Sequence, residues 1–330
     1  MKYYFVFFLI LTKSVTSLAQ QPAMREIDRI RIAEAYAISQ QLDEAIWPGW
    51  NAAPFAILLV TPEHEFLIRH PRPPTGFDAA GHDALLASDI HVRKRTFPLH
   101  LLATMGYGGI PTVVIGQAEN TYKKTSAPWV VTLLHEHLHQ LQQSQPDYHA
   151  AIDALALDGG DKTGMWMLNF PMPYAEPAFQ SKFDATAAQL LRALQAADLA
   201  ALKRETDAYL LARTSLLAML SPAERRYFAL QVWQEGYANY TETRIAQLLS
   251  SDYTPSPAFR QLADYQPFSA LATMLSAAVL RQLGRLDSAS RQREAFYPFG
   301  AGEAMLLDRI RPEWRSRYLR DKLDTATYFQ

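Results

Sequence analysis

Three histidines and one glutamate occupy five consecutive positions of the stretch VVTLLHEHLHQLQQ, residues 130–143. His135 and His139 are four residues apart, so on an α-helix, where each residue turns by about 100°, both imidazoles project from one face. Glu136 lies beside that face, angled away from the shared ion but close enough to contact a water molecule on it. This His-Glu-x-x-His spacing is typical of helices that bind zinc through two imidazoles and use the carboxylate as general base.

The residues around this motif favour a helix. Ser126 and Pro128 provide a start, apolar residues recur at helical spacing, and Pro146 provides a stop. His137 projects about 200° away from His135, so we expect it to pack or hydrogen-bond rather than to bind the ion. The alternative is a buried helix whose histidines are satisfied by hydrogen bonds alone.

A catalytic zinc ion needs a third protein ligand, because such sites combine three side chains with one position for water. The sequence contains no cysteine, so nitrogen or oxygen must supply that ligand. In VWQEGYANYTE, residues 232–242, the side chains of Glu235, Asn239 and Glu242 share one face of a predicted helix. We favour Glu235 as the third ligand and keep Glu242 as the alternative. Asn239, one turn after Glu235, is placed to hydrogen-bond a ligand histidine.

The helix that carries Glu235 has a defined start. Ser221, Pro222 and Glu224 have the pattern of a capping box with proline in the first turn. Gly236, directly after Glu235, costs about 1 kcal/mol of helix stability relative to alanine. Close packing against the zinc-binding helix would explain a glycine at this position.

The segments before the histidine helix predict a small mixed sheet. FAILLVTPEHEFLIRHP contains two β-rich runs around Pro62, IHVRKRT alternates loosely, and PTVVIGQ is a β-branched run, so we expect about four strands. An amphipathic helix over Arg25–Ile46 precedes them.

From residue 146 onward the pattern is mainly helical. Helices are predicted over about 184–218, 222–249, 270–283 and 300–310, after an aromatic loop that contains GMWMLNFPMPY. The predicted fold class is therefore α+β: a small mixed β-sheet with the His-Glu-x-x-His helix, followed by a mainly helical C-terminal half. We expect one domain over residues 20–330, with the sheet and metal helix in 20–145 and the helical part with the third ligand in 146–330.

Composition excludes several classes of partner. The chain carries 32 Lys and Arg against 33 Asp and Glu without long charged blocks, so we expect neither nucleic acid nor an anionic membrane surface. Lys2, an apolar run over residues 3–11 and small residues before Gln20 have the pattern of a signal peptide over residues 1–19. We therefore expect an exported protein, periplasmic or extracellular, with no stable membrane span after cleavage. The sequence leaves the oligomeric state open.

The motifs resemble those of the gluzincin group of zinc metallopeptidases, in which a glutamate on a later helix completes a His-Glu-x-x-His site. The similarity covers HEHLH at 135–139 and, more loosely, EGYANY at 235–240. By this resemblance the ion would be Zn²⁺, its ligands His135, His139 and Glu235, and the base Glu136. The substrate would be a peptide or protein, aligned by an edge strand, here PTVVIG. The long insert before Glu235 and the neutral Asn239 depart from the group's pattern.

A hydrolase of this kind also needs a donor for the oxyanion of the transition state. Tyr297, in FYPFGAGEAMLLDRI, is the first candidate, with Tyr240 and Tyr174 as alternatives. The sequence thus predicts a zinc-dependent hydrolase, and by the resemblance a metallopeptidase, that uses metal-activated water with Glu136 as general base. The alternative is an exported metal-binding protein or pseudoenzyme without hydrolytic activity.

Overall fold

The computed structural model describes residues 22–330, and the predicted signal peptide lies outside them. Within these residues six strands form one mixed sheet, which confirms the α+β class but corrects the expected number of strands. The strands are β1 (Ala56–Val60), β2 (His64–Ile68), β3 (Asp78–Asp83), β4 (Ser88–Lys94), β5 (Leu102–Tyr107) and β6 (Ile110–Gly116). Their order is β3-β4-β2-β1-β6-β5, with β1 and β6 parallel and the other neighbours antiparallel.

The two strands that the sequence does not indicate, β3 and β5, are the edges of the sheet. Neither alternates regularly between buried and exposed residues, so the period of two that marks a strand in a sequence is missing. Their conformation depends instead on pairing with β4 and β6. The strand that contains PTVVIG, β6, lies inside the sheet between β1 and β5. The expectation that it forms the edge is therefore wrong, and β5 is the edge strand beside the histidine helix.

Alternate residues of the central strands enter two apolar clusters. Ile57, Leu59 and Val113 face the main core together with the helices, whereas Leu58 and Val114 face a smaller cluster on the opposite side. This division follows from the period of two along a strand. The main core also contains apolar residues of the histidine helix, so that helix packs on this face of the sheet.

Helices make up most of the remaining chain. They are α1 (Glu26–Leu42), α2 (Ser126–Gln143), α3 (Tyr148–Asp153), α4 (Trp166–Asn169), α5 (Pro177–Leu194), α6 (Leu199–Ala218), α7 (Pro222–Gln231), α8 (Tyr237–Leu249), α9 (Pro257–Arg260), α10 (Phe268–Leu283), α11 (Ser288–Arg291) and α12 (Phe296–Ile310). The predicted helix over 184–218 is two helices, because Asp198 caps α6 through the backbone N–H of Ala201. No helix within residues 22–330 combines the length and the apolar character that crossing a lipid bilayer requires.

The predicted helix over 222–249 begins as expected but is interrupted. Its capping box forms between Ser221 and Glu224. Between α7 and α8, however, Val232–Gly236 adopts one π-helical turn. A Cβ added to Gly236 would lie 2.5 Å from the Gly300 Cα, so Gly236 packs against α12. The expected packing of Gly236 against the histidine helix is therefore wrong.

Candidate metal centre

The histidine helix α2 is fixed at its N-terminus by a carboxylate from a distant part of the chain. Asp264 accepts hydrogen bonds from the backbone N–H of Ser126 at 2.8 Å and from its hydroxyl at 2.7 Å. Arg31 donates to the same carboxylate at 3.2 Å. Partial burial alone would raise the pKa of Asp264, but these hydrogen bonds and the charge of Arg31 lower it. The Asp264 carboxylate thus lies at the N-terminus of α2, where the helix dipole favours a negative charge.

The middle of α2 is fixed to the sheet through Gln140. Its Nε2 donates to the carbonyls of Ala56 and Pro111, both at 2.8 Å, so its Oε1 must accept from His137 Nδ1 at 2.7 Å. The His137 ring stacks on Phe55 with 3.9 Å between centroids. Burial lowers the pKa of His137 to about 4, although the contact with Gln140 opposes the shift. His137 therefore lies in the core as a neutral ring.

The other face of α2 brings three potential metal ligands together. His135, Glu136 and His139 are all buried, and one ligand atom from each lies within 4.8 Å of the others. They line a cleft of about 1190 Å³. Two imidazoles and a carboxylate are suitable ligands for several divalent cations, so the cluster can bind a metal ion without indicating which one.

His139 has a defined tautomer because of Gln142, three residues further along the helix. The two N–H groups of Gln142 Nε2 face only acceptors: the Tyr318 oxygen at 2.5 Å and the carbonyls of Trp233 and Gln234 at 3.3 and 3.4 Å. This leaves Oε1 as the acceptor, 2.8 Å from His139 Nδ1. His139 must then carry its proton on Nδ1. The lone pair on Nε2 is free for a cation, as in metal sites whose outer partner orients the ligand ring.

His135 is paired with Glu242 on α8. Glu242 Oε1 lies 3.2 Å from His135 Nδ1, but the contact is too poorly aligned for a hydrogen bond. Glu242 Oε2 accepts from Lys123 Nζ at 3.1 Å. Burial alone would lower the pKa of His135, but the carboxylates of Glu242, Glu136 and Glu235 produce a net rise. Burial alone would raise the pKa of Glu242, but Lys123 and His135 lower it to about 2.

Glu235, in the π-helical turn, lies opposite the second histidine. Its Oε2 is 3.7 Å from His139 Nε2, and its Oε1 is 3.4 Å from Arg293 Nη1. Burial alone would raise the pKa of Glu235, but the nearby positive charges, first His139 and then Arg293, lower it. Tyr297 contacts the same carboxylate. His135 precedes His139 in the sequence, but its partner Glu242 follows Glu235. The helix α2 and the segment 235–242 are therefore antiparallel.

Of the other predicted site residues, Asn239 and Tyr297 line the cleft, whereas Tyr240 and Tyr174 do not. Asn239 lines the cleft but makes no hydrogen bond to a histidine anywhere in residues 22–330, and Gln142 contacts the ring of His139 instead. Tyr297 also lines the cleft, and Arg293 Nη1 donates to its hydroxyl at 3.2 Å. Tyr240 instead donates to Asp308, outside the cleft, at 2.5 Å. The third candidate, Tyr174, is not part of the cleft wall.

Four residues that the sequence did not single out contact the predicted ones. They are Thr104, Lys123, Gln142 and Arg293. The sequence carries a signal for Gln142, because His137 and Gln140 repeat the same spacing of three residues on the same helix. No local pattern distinguishes the other three, since each reaches the site from a different segment of the chain.

Two walls bound the cleft. One contains residues 101–106, which include most of edge strand β5, and the other is the loop at residues 157–168. The predicted aromatic loop thus borders the histidine cluster. On β5, the Thr104 hydroxyl lies 2.9 Å from Glu136 Oε2 and 2.7 Å from the Glu136 carbonyl, so it can donate to either oxygen. The edge strand and the candidate base are therefore in direct contact.

No protein-family model, curated protein or solved structure matches this chain, so its family is not assigned.

Proposed function

We propose that the protein is a zinc-dependent hydrolase whose metal ligands are His135, His139 and Glu235. The observation that carries this proposal is the pair formed by His139 Nε2 and Glu235 Oε2, 3.7 Å apart. Gln142 places a ring proton on Nδ1, so Nε2 faces a carboxylate oxygen, and a metal cation between the two atoms would satisfy both in place of a second ring proton. Two ligand atoms ~2.1 Å from one tetrahedral zinc ion lie roughly 3.4 Å apart, close to the observed distance.

Glu235 fits the role of third ligand better than Glu242. Glu235 shares the large cleft with both histidines, whereas Glu242 lines a separate cavity of about 240 Å³ beside Lys123. Glu242 Oε2 is paired with Lys123 Nζ, and Glu242 Oε1 lies 3.2 Å from His135 Nδ1, on the side of the ring away from Nε2. A carboxylate at Nδ1 of a ligand histidine is the usual outer partner in zinc sites and directs Nε2 toward the ion.

Glu136 is suited to act as general base. Thr104 contacts its Oε2, and within residues 22–330 no hydrogen-bond donor contacts its Oε1. A bound zinc ion would supply Lewis acidity, which polarises the substrate carbonyl and makes water acidic near neutral pH. Glu136 removes the proton from the attacking water and returns it to the leaving group. Arg293 donates to the Tyr297 oxygen, so the hydroxyl proton, which faces Glu235 in the metal-free protein, would turn to the oxyanion once Glu235 binds the ion.

The substrate class that fits the cleft best is an extended peptide. Strand β5 is an edge of the sheet, and apart from the Thr104 carbonyl, which Gln143 Nε2 reaches at 3.4 Å, its outer backbone groups could pair with another extended chain. Residues 101–106 line the same cleft as the histidine cluster. A peptide paired with β5 would therefore place one of its carbonyls near Glu136. This arrangement supports a metallopeptidase of the gluzincin kind, acting in the periplasm or outside the cell if residues 1–19 direct export.

The experiment is cleavage of a peptide library by zinc-loaded wild type, Glu136→Gln and Glu63→Gln. Glu63 is an exposed glutamate in the turn between β1 and β2, so its variant controls for the loss of one carboxylate. We expect Glu136→Gln to retain zinc and to lose about 10²–10⁴-fold in turnover, while Glu63→Gln behaves as wild type. Undiminished turnover in Glu136→Gln would reject this residue as base. A wild type that binds zinc and cleaves nothing would favour the metal-binding pseudoenzyme.

A further inference from the structure

The π-helical turn that carries Glu235 also leaves a backbone carbonyl without its helical partner. The N–H of Tyr237 bonds to the carbonyl of Val232, five residues back. In an α-helix the same N–H would bond to Trp233 O, four residues back. The widened turn therefore frees the Trp233 carbonyl, which is buried with its residue and needs another donor.

Two side chains supply that donor. The Tyr318 hydroxyl donates to Trp233 O at 3.0 Å, and Gln142 Nε2 reaches the same oxygen at 3.3 Å. Gln142 Nε2 also donates to the Tyr318 oxygen at 2.5 Å. Both side chains are at most 1% exposed, so water does not compete for these hydrogen bonds. Tyr318, from the C-terminal segment, thus links the π-helical turn to the histidine helix.

This link determines which way the Gln142 amide faces. With Nε2 directed at Tyr318 and Trp233, the amide oxygen points to His139 Nδ1. Because the Tyr318 proton is donated to Trp233 O, a reversed amide would bring its oxygen against a lone pair of the Tyr318 oxygen, only 2.5 Å away. The carbonyls of Trp233 and Gln234 are farther, at 3.3 and 3.4 Å, so the Tyr318 oxygen opposes the reversed orientation most strongly. The amide orientation then places the His139 proton on Nδ1 and the lone pair on Nε2, opposite Glu235.

We propose that Tyr318 is a positioning residue for the metal centre: it holds Gln142 so that His139 presents Nε2 to the ion beside Glu235. The inference rests on the proposed metal ligands, but not on the reaction. One turn of π-helix then sets both the position of the carboxylate ligand and the tautomer of the imidazole ligand. A side chain near the end of the chain thereby controls metal affinity without touching the metal.

The test uses Tyr318→Phe, which removes only the hydroxyl, and Tyr328→Phe as matched control. Tyr328 lies in the same buried segment and donates to the carbonyls of Tyr318 and Asp321, without contact to Gln142. The first readout is the ¹⁵N chemical shifts of the His139 ring in the metal-free protein, which report the tautomer. The second is zinc affinity, measured by competition with a chromophoric chelator.

We expect wild type and Tyr328→Phe to hold the His139 proton on Nδ1, and Tyr318→Phe to populate both tautomers. Zinc affinity should fall about tenfold in Tyr318→Phe beyond any change in the control. Wild-type tautomer and zinc affinity in Tyr318→Phe would overturn the inference, as would equal losses in both variants. Because the tautomer is read without metal or substrate, a protein that hydrolyses no peptide still tests it.

Discussion

Replacing Gly236 by alanine tests how closely the Glu235 turn must approach α12. The new Cβ would lie 2.5 Å from Gly300 Cα and 3.0 Å from the Phe296 carbonyl oxygen, both backbone atoms. Ordinary contact needs roughly 3.5 Å, so the two segments must separate by about 1 Å. Alanine gains about 1 kcal/mol of helix propensity, whereas overpacking costs about 1–3 kcal/mol and more when backbone must move. Because both contacts are with backbone, the overpacking cost should be about 2–4 kcal/mol, which leaves a net loss of about 1–3 kcal/mol.

The assay is urea unfolding of the metal-free variant, followed by zinc titration. Gly284→Ala is the matched control, because the tightest contact of its Cβ would be the flexible Leu191 side chain at 3.0 Å, and the nearest backbone atom, Leu280 O, lies at an ordinary 3.6 Å. The control should be as stable as wild type within about 1 kcal/mol. The displaced turn should also weaken zinc binding about tenfold, since Glu235 precedes Gly236 directly. If Gly236→Ala matched the control in stability and in zinc affinity, the close approach to α12 would not position the ligand.

Three further changes test separate contacts. Asp264→Asn should lower the free energy of unfolding by about 1 kcal/mol at pH 7. Because the folded pKa of Asp264 is lowered, the difference from wild type should shrink as pH falls below about 4. A pH-independent difference in urea unfolding would contradict this. Lys123→Met leaves the buried Glu242 carboxylate without its ammonium partner and should lower the free energy of unfolding by about 2–3 kcal/mol. Lys124 is exposed, so Lys124→Met should change it very little. Equal unfolding midpoints for the two variants would argue against the ion pair. Tyr297→Phe should retain zinc and lower kcat about 10²-fold, and an unchanged kcat would exclude it as oxyanion donor.

The parts of the site that follow from local spacing were predictable. His135 and His139 share a face because a helix repeats every 3.6 residues, and that geometry needs no tertiary information. The capping box at Ser221 is equally local, and it appears as predicted. The fold class followed from the change of pattern along the chain, from β-rich runs to helical spacing.

The parts that depend on contacts between distant segments were not predictable. Gly236 packs against α12 and not against the histidine helix, because the π-helical turn changes which side it presents. Strand β5 carries Thr104 and forms only by pairing with β6, without an alternating pattern of its own. Lys123 reaches Glu242 from a loop, and no spacing rule connects the two residues.

The most direct measurement is zinc binding by the metal-free protein and four single variants, in competition with a chromophoric chelator. Wild type should bind one zinc ion per chain with submicromolar affinity. His135→Ala, His139→Ala and Glu235→Ala should each weaken binding at least about 100-fold, whereas Glu242→Gln should keep the stoichiometry with a loss of about 10–100-fold at most. Absence of tight binding in wild type, or full affinity in Glu235→Ala together with complete loss in Glu242→Gln, would contradict the proposed ligand set.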